Sequence, residues 1–304
     1  MACFKPIQAF RNPDDMSGKL LFSSHTLGNY AYALSAYGLK IPCGQCVGCR
    51  LEYSRQWAIR CCHEASLHTF NSFITLTYSP EHLPEDGSLD VVHFQKFMKR
   101  LRKKLFPLKI RFFHCGEYGD LTRRPHYHAL IFGHSFPDRT LLKSSKSGNL
   151  YTSDVLSSVW GLGHASVGDL TFESAAYVAR YVMKKVNGKS KKSHYEVIDY
   201  ETGEIIDLKP EYTTMSRKPG IAGDWFDKYH PDVYPSDSIH VDGREMRPPK
   251  FYDKKMKALD PALMEDIIAD RLDRFDPLNN TPERLKVRYE VTKARLAGYS
   301  RDVV

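Results

Sequence analysis

Hydrophobic positions recur along the chain in two periods. Phe73-Ile74-Thr75-Leu76-Thr77-Tyr78 is rich in β-branched and aromatic residues and stops at Pro80, which reads as a strand. Lys109 to Glu117 and Pro125 to Gly133 read as two more strands, and His164 to Leu170 as a fourth. Helical spacing runs from Leu51 to about His68, through Trp57, Ala58, Cys61 and Ala65. It returns over residues 91–105 (Val92, Phe94, Phe97, Leu101, Leu105), over Asp154 to Trp160, and over Glu173 to Val186. From Phe73 onward the order is strand, helix, strand, strand, helix, strand, with one more helix after it. That order predicts an α+β fold: a split βαβ antiparallel sheet of the ferredoxin or RRM type, with helices on one face.

Outside this stretch the pattern weakens. Residues 1–42 show no period, and Asn12-Pro13-Asp14-Asp15 reads as a turn, so an irregular N-terminal segment is expected. Gly188 to Ser193 is polar and basic with turn character and marks a boundary. The expected organisation is therefore 1–42 irregular, 43–193 a core that begins with a cysteine motif, and 194–304 a C-terminal appendage. The appendage holds a hairpin around Glu201-Thr202-Gly203, a Pro-rich stretch (Pro231, Pro235, Pro248, Pro249) and a charged helical end. No internal repeat is visible.

Composition narrows the function classes. The 304 residues are 42% hydrophobic, enough for a sizeable core, and the formal net charge is +8. A basic chain of this size suits nucleic acid or an anionic surface. No run of 18 apolar residues occurs and the N-terminus lacks a signal-peptide pattern, so no membrane association and a cytosolic location are expected. In that compartment seven cysteines point to free thiols or metal ligation rather than disulfides.

His126 and His128 are two apart on a predicted strand and share a face. Two imidazoles beside a carboxylate can hold a divalent ion and leave positions open for substrate. Glu117 ends the preceding strand, and cross-strand neighbours lie within about 5–8 Å, so it is the natural third ligand. The alternative is a half-buried His-Tyr-His strand with no metal.

Over Ala175 to Val186, about 100° per residue puts Tyr177, Tyr181 and Lys184 in one sector and Ala175, Val178, Ala179, Val182, Met183 and Val186 on the other side. The apolar side faces the core, so the two tyrosines share the outer face with a cation. A phenol is a poor nucleophile at its ordinary pKa near 10, and a nearby cation or metal favours the phenolate. The alternative is a pair of tyrosines that cap a core with their hydroxyls in water.

Cys43-x-x-Cys46-x-x-Cys49 has chelating spacing. A tetrahedral zinc needs a fourth ligand, for which Cys61, Cys62 and His63 are available; otherwise these are reduced thiols in a turn. Basic residues crowd the chemical motifs: ten Lys or Arg against two acids from Gln95 to His128, and six against none from Tyr177 to Lys192. Phosphate contact is expected there, with Arg123, Arg124, Arg180 and Lys185 as candidates. A solvated helix face is the other reading of Lys96 to Lys104.

The set resembles the HUH endonuclease superfamily. The Phe73–Tyr78 strand, Arg124-Pro125-His126-Tyr127-His128, and Tyr177-x-x-x-Tyr181-x-x-Lys184 follow the three motifs of rolling-circle initiators. The match looks closest to replication initiators of microviruses, the small tailless single-stranded DNA phages, with gokushoviruses the nearest group. Shared with those are Pro42-Cys43-Gly44-x-Cys46-x-x-Cys49, Gly116-Glu117-Tyr118-Gly119 and Met215-Ser216-Arg217-x-Pro219-Gly220-Ile221, so the resemblance spans roughly residues 42–255. The middle position of the His pair is usually aliphatic in the superfamily, and Tyr127 departs from that.

The resemblance implies Mg²⁺ or Mn²⁺ on His126 and His128, with Glu117 as a third ligand whose type and position vary in the family. It implies Tyr177 and Tyr181 as nucleophiles and Lys184 as their cation. The implied activity is site-specific nicking and rejoining of single-stranded DNA at a replication origin through a 5′-phosphotyrosine. The absence of a Gly-x-x-x-x-Gly-Lys-Ser/Thr loop implies a host helicase, alongside a host DNA polymerase, in the host bacterial cytoplasm. Competing readings are a relaxase or transposase of the same chemistry, and a non-catalytic nucleic-acid-binding module.

Overall fold

The computed structural model describes residues 3–11, 20–22, 38–119, 122–145, 148–181, 191–198 and 203–298. The chain divides into two units: Ser54–Asp273 forms the larger, and Met1–Tyr53 with Arg274–Arg301 the smaller.

In the smaller unit, residues 1–42 hold strands despite their lack of visible period. Strands β1 (Ile7–Arg11), β2 (Leu20–Leu21) and β3 (Gly38–Ile41) form an antiparallel sheet in the order β2-β1-β3. Helix α1 (Val47–Ser66) starts in this unit and runs into the larger one.

The larger unit is built on a seven-stranded antiparallel sheet. Its strands are β4 (Asn71–Thr77), β5 (Arg111–Tyr118), β6 (Pro125–Phe132), β7 (Thr140–Ser145), β8 (Gly148–Thr152), β9 (Ala165–Gly168) and a later strand, β12 (Tyr212–Met215). Their spatial order is β12-β5-β6-β4-β9-β8-β7. The inner four, β5-β6-β4-β9, are the split βαβ core expected from the sequence. Helix α2 (Val91–Lys104) links β4 to β5, and α3 (Asp154–Trp160) precedes β9. The β7–β8 hairpin was not expected. Its residues are mostly Lys, Ser, Thr, Gly and Asn, so no period marks it, and it is held by backbone pairing to β9.

Alternation along the strands sorts side chains to two faces. Ile74, Leu76, Tyr78, Tyr127, Ala129 and Ile131 point to one, where they meet Phe94, Phe97, Met98 and Leu101 of α2 and Leu156, Val159 and Trp160 of α3. Burying each of those phenylalanines contributes about 2–3 kcal/mol. Local sequence sets both helices. Asp90 accepts the Val92 N–H at the start of α2, and Ser153 accepts the Leu156 N–H at the start of α3. Arg100 of α2 donates to the carbonyls of Val159 and Trp160, which closes the end of α3. Tyr127 is fully buried on this face, with its hydroxyl donating to the Asp90 carbonyl at 2.9 Å and lying 2.7 Å from Tyr78 Oη. Gly163 (φ +144°) lets the chain pass over β4, because a Cβ there would collide with backbone of Thr77, Tyr78 and Ser79.

Helices cover the opposite face too, beyond the single face expected. There Phe73, Phe113, Cys115, Leu130 and Phe132 pack against Ala58 and Cys61 of α1 and against Ala175, Val178 and Ala179 of α4 (Phe172–Tyr181). A capping box starts α4: Ser174 N–H donates to Thr171 Oγ1, and Ser174 Oγ accepts from Thr171 N–H.

After α5 (Lys191–Tyr195), β10 (Glu196–Ile198) and β11 (Ile205–Asp207) form the expected hairpin. Helices α6 (Gly223–Val233), α7 (Lys250–Leu259) and α8 (Pro261–Asp273), with hairpin β13 (Ile239–Val241) and β14 (Arg244–Met246), make a third core around Phe226, Tyr252 and Met256. The last helix, α9 (Pro282–Ala297), belongs to the smaller unit. No helix among the described residues is long and apolar enough to cross a membrane.

Candidate active site on the sheet face beneath helix α4

The ladder between β5 and β6 sets Glu117 opposite His126 and Cys115 opposite His128. On the other flank, β4 sets Thr75 opposite His128 and Thr77 opposite His126. Glu117, His126, His128 and Thr75 thus share one face, the one that α4 covers.

The two imidazoles are held by their Nδ1 atoms. His126 Nδ1 lies 2.6 Å from the Arg124 carbonyl. A carbonyl only accepts, so Nδ1 carries the proton and the lone pair of a neutral ring sits on Nε2. Burial keeps the pKa of this ring below the ordinary imidazole value, against the opposing pull of the Arg124 carbonyl. His128 Nδ1 lies 3.0 Å from Thr75 Oγ1, and its Nε2 lies 2.8 Å from Glu117 Oε1. Both side chains of that last pair are nearly fully buried, 3% and 5% exposed.

Tyr177 packs over this face. Its ring centroid is 5.3 Å from that of His128, edge to face, and 6.2 Å from that of Phe73. Phe73 itself stacks on His128 at 5.8 Å. The buried run Ala175, Val178 and Ala179 turns α4 toward β5 and β6, and that rotation delivers half-buried Tyr177 to the histidine. Tyr181 closes α4 one turn later; its side chain, Lys184 and Lys185 lie outside the described residues.

Two imidazoles and a carboxylate suit a hard or borderline divalent ion, and the Arg124 carbonyl and Thr75 hydroxyl are the outer partners such ligands require. The three groups do not converge on one point, however. Among the described residues only a cysteine group brings three or more ligand atoms within 4.8 Å of one another. His128 and Glu117 bond to each other, while His126 is held on Arg124.

The basic candidates separate. Arg124 donates to the Tyr78 carbonyl at 3.0 Å and Arg123 to the His194 carbonyl at 3.2 Å, so both tie the loop before β6 to neighbouring chain. Arg180 is exposed at the end of α4. The lysine-rich stretch Lys96 to Lys104 does not border the histidines as expected. Its helix packs on the other face, with the sheet in between, because Phe94, Phe97 and Leu101 point into that core.

Cys43, Cys46 and Cys49 do come together, and the fourth member is Cys3. None of the expected partners joins them. Cys61 is fully buried in the sheet core, Cys62 packs against the same core, and His63 bonds Tyr252 and stacks on Trp225. Thr75 and Cys3 were the residues sequence reasoning missed. The alternation of the Phe73–Tyr78 run carried the first; nothing local carried the second.

Comparison with known proteins matches residues 71–186 to the replication-associated protein ORF2 family. The chain is 33% identical over 265 residues to "Replication-associated protein VP4" of Bdellovibrio phage phiMH2K, covering 83% of this chain and 76% of that one. It is 32% identical over 274 residues to "Replication-associated protein ORF2" of Spiroplasma virus 4, covering 84% and 81%. A third relative, "Replication-associated protein ORF4" of Chlamydia phage 1, is 33% identical over 186 residues, 59% of this chain and 46% of its own. No solved structure matches.

Proposed function

The chain belongs to the replication-associated protein ORF2 family, and from that premise we propose that it nicks and rejoins single-stranded DNA at a replication origin through a phosphotyrosine. The observation that carries this reading is the packing of Tyr177 against His128, on the one sheet face that also holds Glu117 and His126. A nucleophile and a phosphate-polarising ligand set must lie within one phosphate's reach, and these residues come from three separate segments to meet there.

Tyr177 is the first nucleophile in this reading. Its phenolic oxygen loses its proton and forms a bond to the scissile phosphorus. The bond from phosphorus to the 3′ oxygen breaks, and that oxygen takes up a proton to become the priming 3′-hydroxyl. The 5′-phosphate stays on the tyrosine, so the bond is conserved and no nucleotide need be hydrolysed. Tyr181, one helical turn on, makes the second cut after a round of synthesis, with Lys184 countering charge. A Mg²⁺ or Mn²⁺ held by His126, His128 and Glu117 would supply electrophilic polarisation of the phosphate. Of the basic residues, Arg180 is the one placed to meet the DNA backbone from the same helix as the tyrosines, with Lys185 beyond it and Arg123 and Arg124 shaping the loop into β6. Unwinding and synthesis fall to a helicase and polymerase of the bacterial host, in whose cytoplasm the protein acts.

A non-catalytic module of the RRM kind reads bases on exposed strand aromatics. The aromatics Phe73, Phe113, Tyr118, Tyr127 and Phe132 of β4, β5 and β6 are all buried, which favours the enzyme. The test is a denaturing gel of end-labelled origin single strands incubated with protein and Mn²⁺. A covalent adduct is expected, abolished by chelator and by the Tyr177→Phe/Tyr181→Phe double variant. A folded chain that binds the origin strand and forms no adduct with either metal refutes the reading.

A further inference from the structure

We propose that Cys3, Cys43, Cys46 and Cys49 bind one zinc ion as four thiolates, and that this ion fastens the N-terminal end of the chain to the start of helix α1. The sulfurs are already spaced for it. Zn–S bonds of about 2.3 Å at the tetrahedral angle put sulfurs about 3.8 Å apart. Cys3 Sγ lies 3.7 Å from Cys43 Sγ and 3.9 Å from Cys46 Sγ, and all four atoms fall within 4.8 Å of one another.

Two other fates of four close thiols do not match these distances. A disulfide needs about 2.05 Å between sulfurs. In an iron–sulfur cluster each thiolate binds a different iron, which sets the sulfurs well apart on the corners of a larger body. Spacing of this kind belongs to a single ion.

The surroundings favour thiolates. Backbone N–H groups of Phe4, Cys43 and Cys46 each point at a sulfur at 3.3 Å: Cys46, Cys3 and Cys43 respectively. Such donors offset the negative charge of a ligand sulfur, as outer partners do in metal sites generally. Cys46 precedes α1 and Cys49 lies in its first turn, where the helix N-terminus favours negative charge. Gly44 at φ +72° makes the turn that brings Cys43 and Cys46 to the same point.

The smaller unit also needs a fastening. Among its described residues the buried apolar side chains are Cys3, Ala9, Phe10, Cys46 and Leu285. A core of that size holds little chain together, and small units of this kind are stabilised by a metal or cross-link. Phe4, next to Cys3, packs edge-on against Tyr289 of α9 at 6.1 Å, so the ion would fix both the first strand and the last helix of this unit.

The experiment uses the full chain purified from cells without added metal. Elemental analysis is expected to find one zinc per chain, and replacement by Co²⁺ to give the sulfur-to-cobalt charge transfer and visible bands of a tetrahedral four-sulfur site. Cys3→Ser is expected to lose the ion, and Cys62→Ser to keep it. Because Cys3→Ser can unfold the unit, Cys3→His serves as the second variant: it is expected to retain one ion, with the cobalt spectrum shifted to three sulfurs and one nitrogen. The proposal is overturned by stoichiometric zinc in Cys3→Ser, by an unchanged cobalt spectrum in Cys3→His, by iron with acid-labile sulfide, or by a metal-free wild-type chain that takes up no cobalt. None of these readouts depends on strand cleavage.

Discussion

Thr75→Val isolates the support of the candidate metal ligand from the ligand itself. Thr75 Oγ1 lies 3.0 Å from His128 Nδ1, and the two residues are 8% and 3% exposed. Valine replaces the hydroxyl by a methyl of nearly the same size, so no cavity forms. What is lost is the partner that fixes the ring's tautomer and its aim at Glu117. Removing an outer partner of this type costs about 10–100-fold in metal affinity, which is roughly 1.4–2.7 kcal/mol at 1.4 kcal/mol per tenfold. The assay is adduct yield on origin DNA as a function of Mn²⁺ concentration. The half-saturating concentration is expected to rise by about one to two orders of magnitude, while the plateau at high Mn²⁺ is largely kept. Thr75→Ser, which retains the hydroxyl, should restore the wild-type curve. An unchanged metal curve in Thr75→Val, with the protein folded, would show that Thr75 only packs and that His128 is not a ligand positioned by it.

Glu64 is buried between the Arg111 guanidinium (2.5 Å), the Ala222 N–H (2.6 Å) and His68 Nε2 (3.3 Å). Burial alone would raise its carboxyl; the bonds from His68 and Ala222 and the Arg111 charge outweigh it and hold the group below the usual carboxylate range. Glu64→Gln is expected to cost about 3 kcal/mol at neutral pH in denaturant unfolding. A depressed folded pKa means the stabilisation is complete above the unfolded value near ~4.3 and is lost as pH falls through the folded one, so the gap to wild type should close in acid. A pH-independent gap would remove the charge from the explanation. Tyr127→Phe deletes the hydroxyl shared by Tyr78 and Asp90 on the far side of the sheet and should cost about 1–3 kcal/mol in thermal unfolding with adduct formation intact. Lys96, Lys99 and Lys103 changed together to Gln should leave the salt dependence of origin binding unchanged, because their helix lies across the sheet from Tyr177; Arg180→Gln should reduce that slope by about one.

Much of the sheet was legible in the residues. Alternation along Phe73 to Tyr78 and His126 to Phe132 assigns faces correctly, since a strand has no freedom to break its period of two. The apolar sector of Ala175, Val178 and Ala179 likewise assigns the buried side of α4. Legibility stopped where the ordering force is not local. The β7–β8 hairpin is polar and held by its neighbour's backbone. Strand β12 joins the edge of β5 through pairs such as Thr213 with Cys115, a match of register that no single segment announces. Charge was the least reliable guide, because a run of lysines marks the solvent side of a helix without saying on which side of the sheet that helix lies.

Sequence alone determined the chemistry that can occur: the residue types of the histidine pair, the glutamate, the tyrosine helix and the three clustered cysteines, and the period that places each on a face. Tertiary structure decided which of these meet. Glu117 and His128 are diagonal neighbours because β5 and β6 pair in one register out of several, and Tyr177 reaches His128 because α4 crosses that same face. Cys3 finds Cys43 and Cys46 across forty residues because antiparallel pairing of β1 with β3 brings the two ends of that segment back together. Periodicity is a property of the backbone and is written locally; proximity across the chain follows from pairing and burial, which only the whole fold resolves.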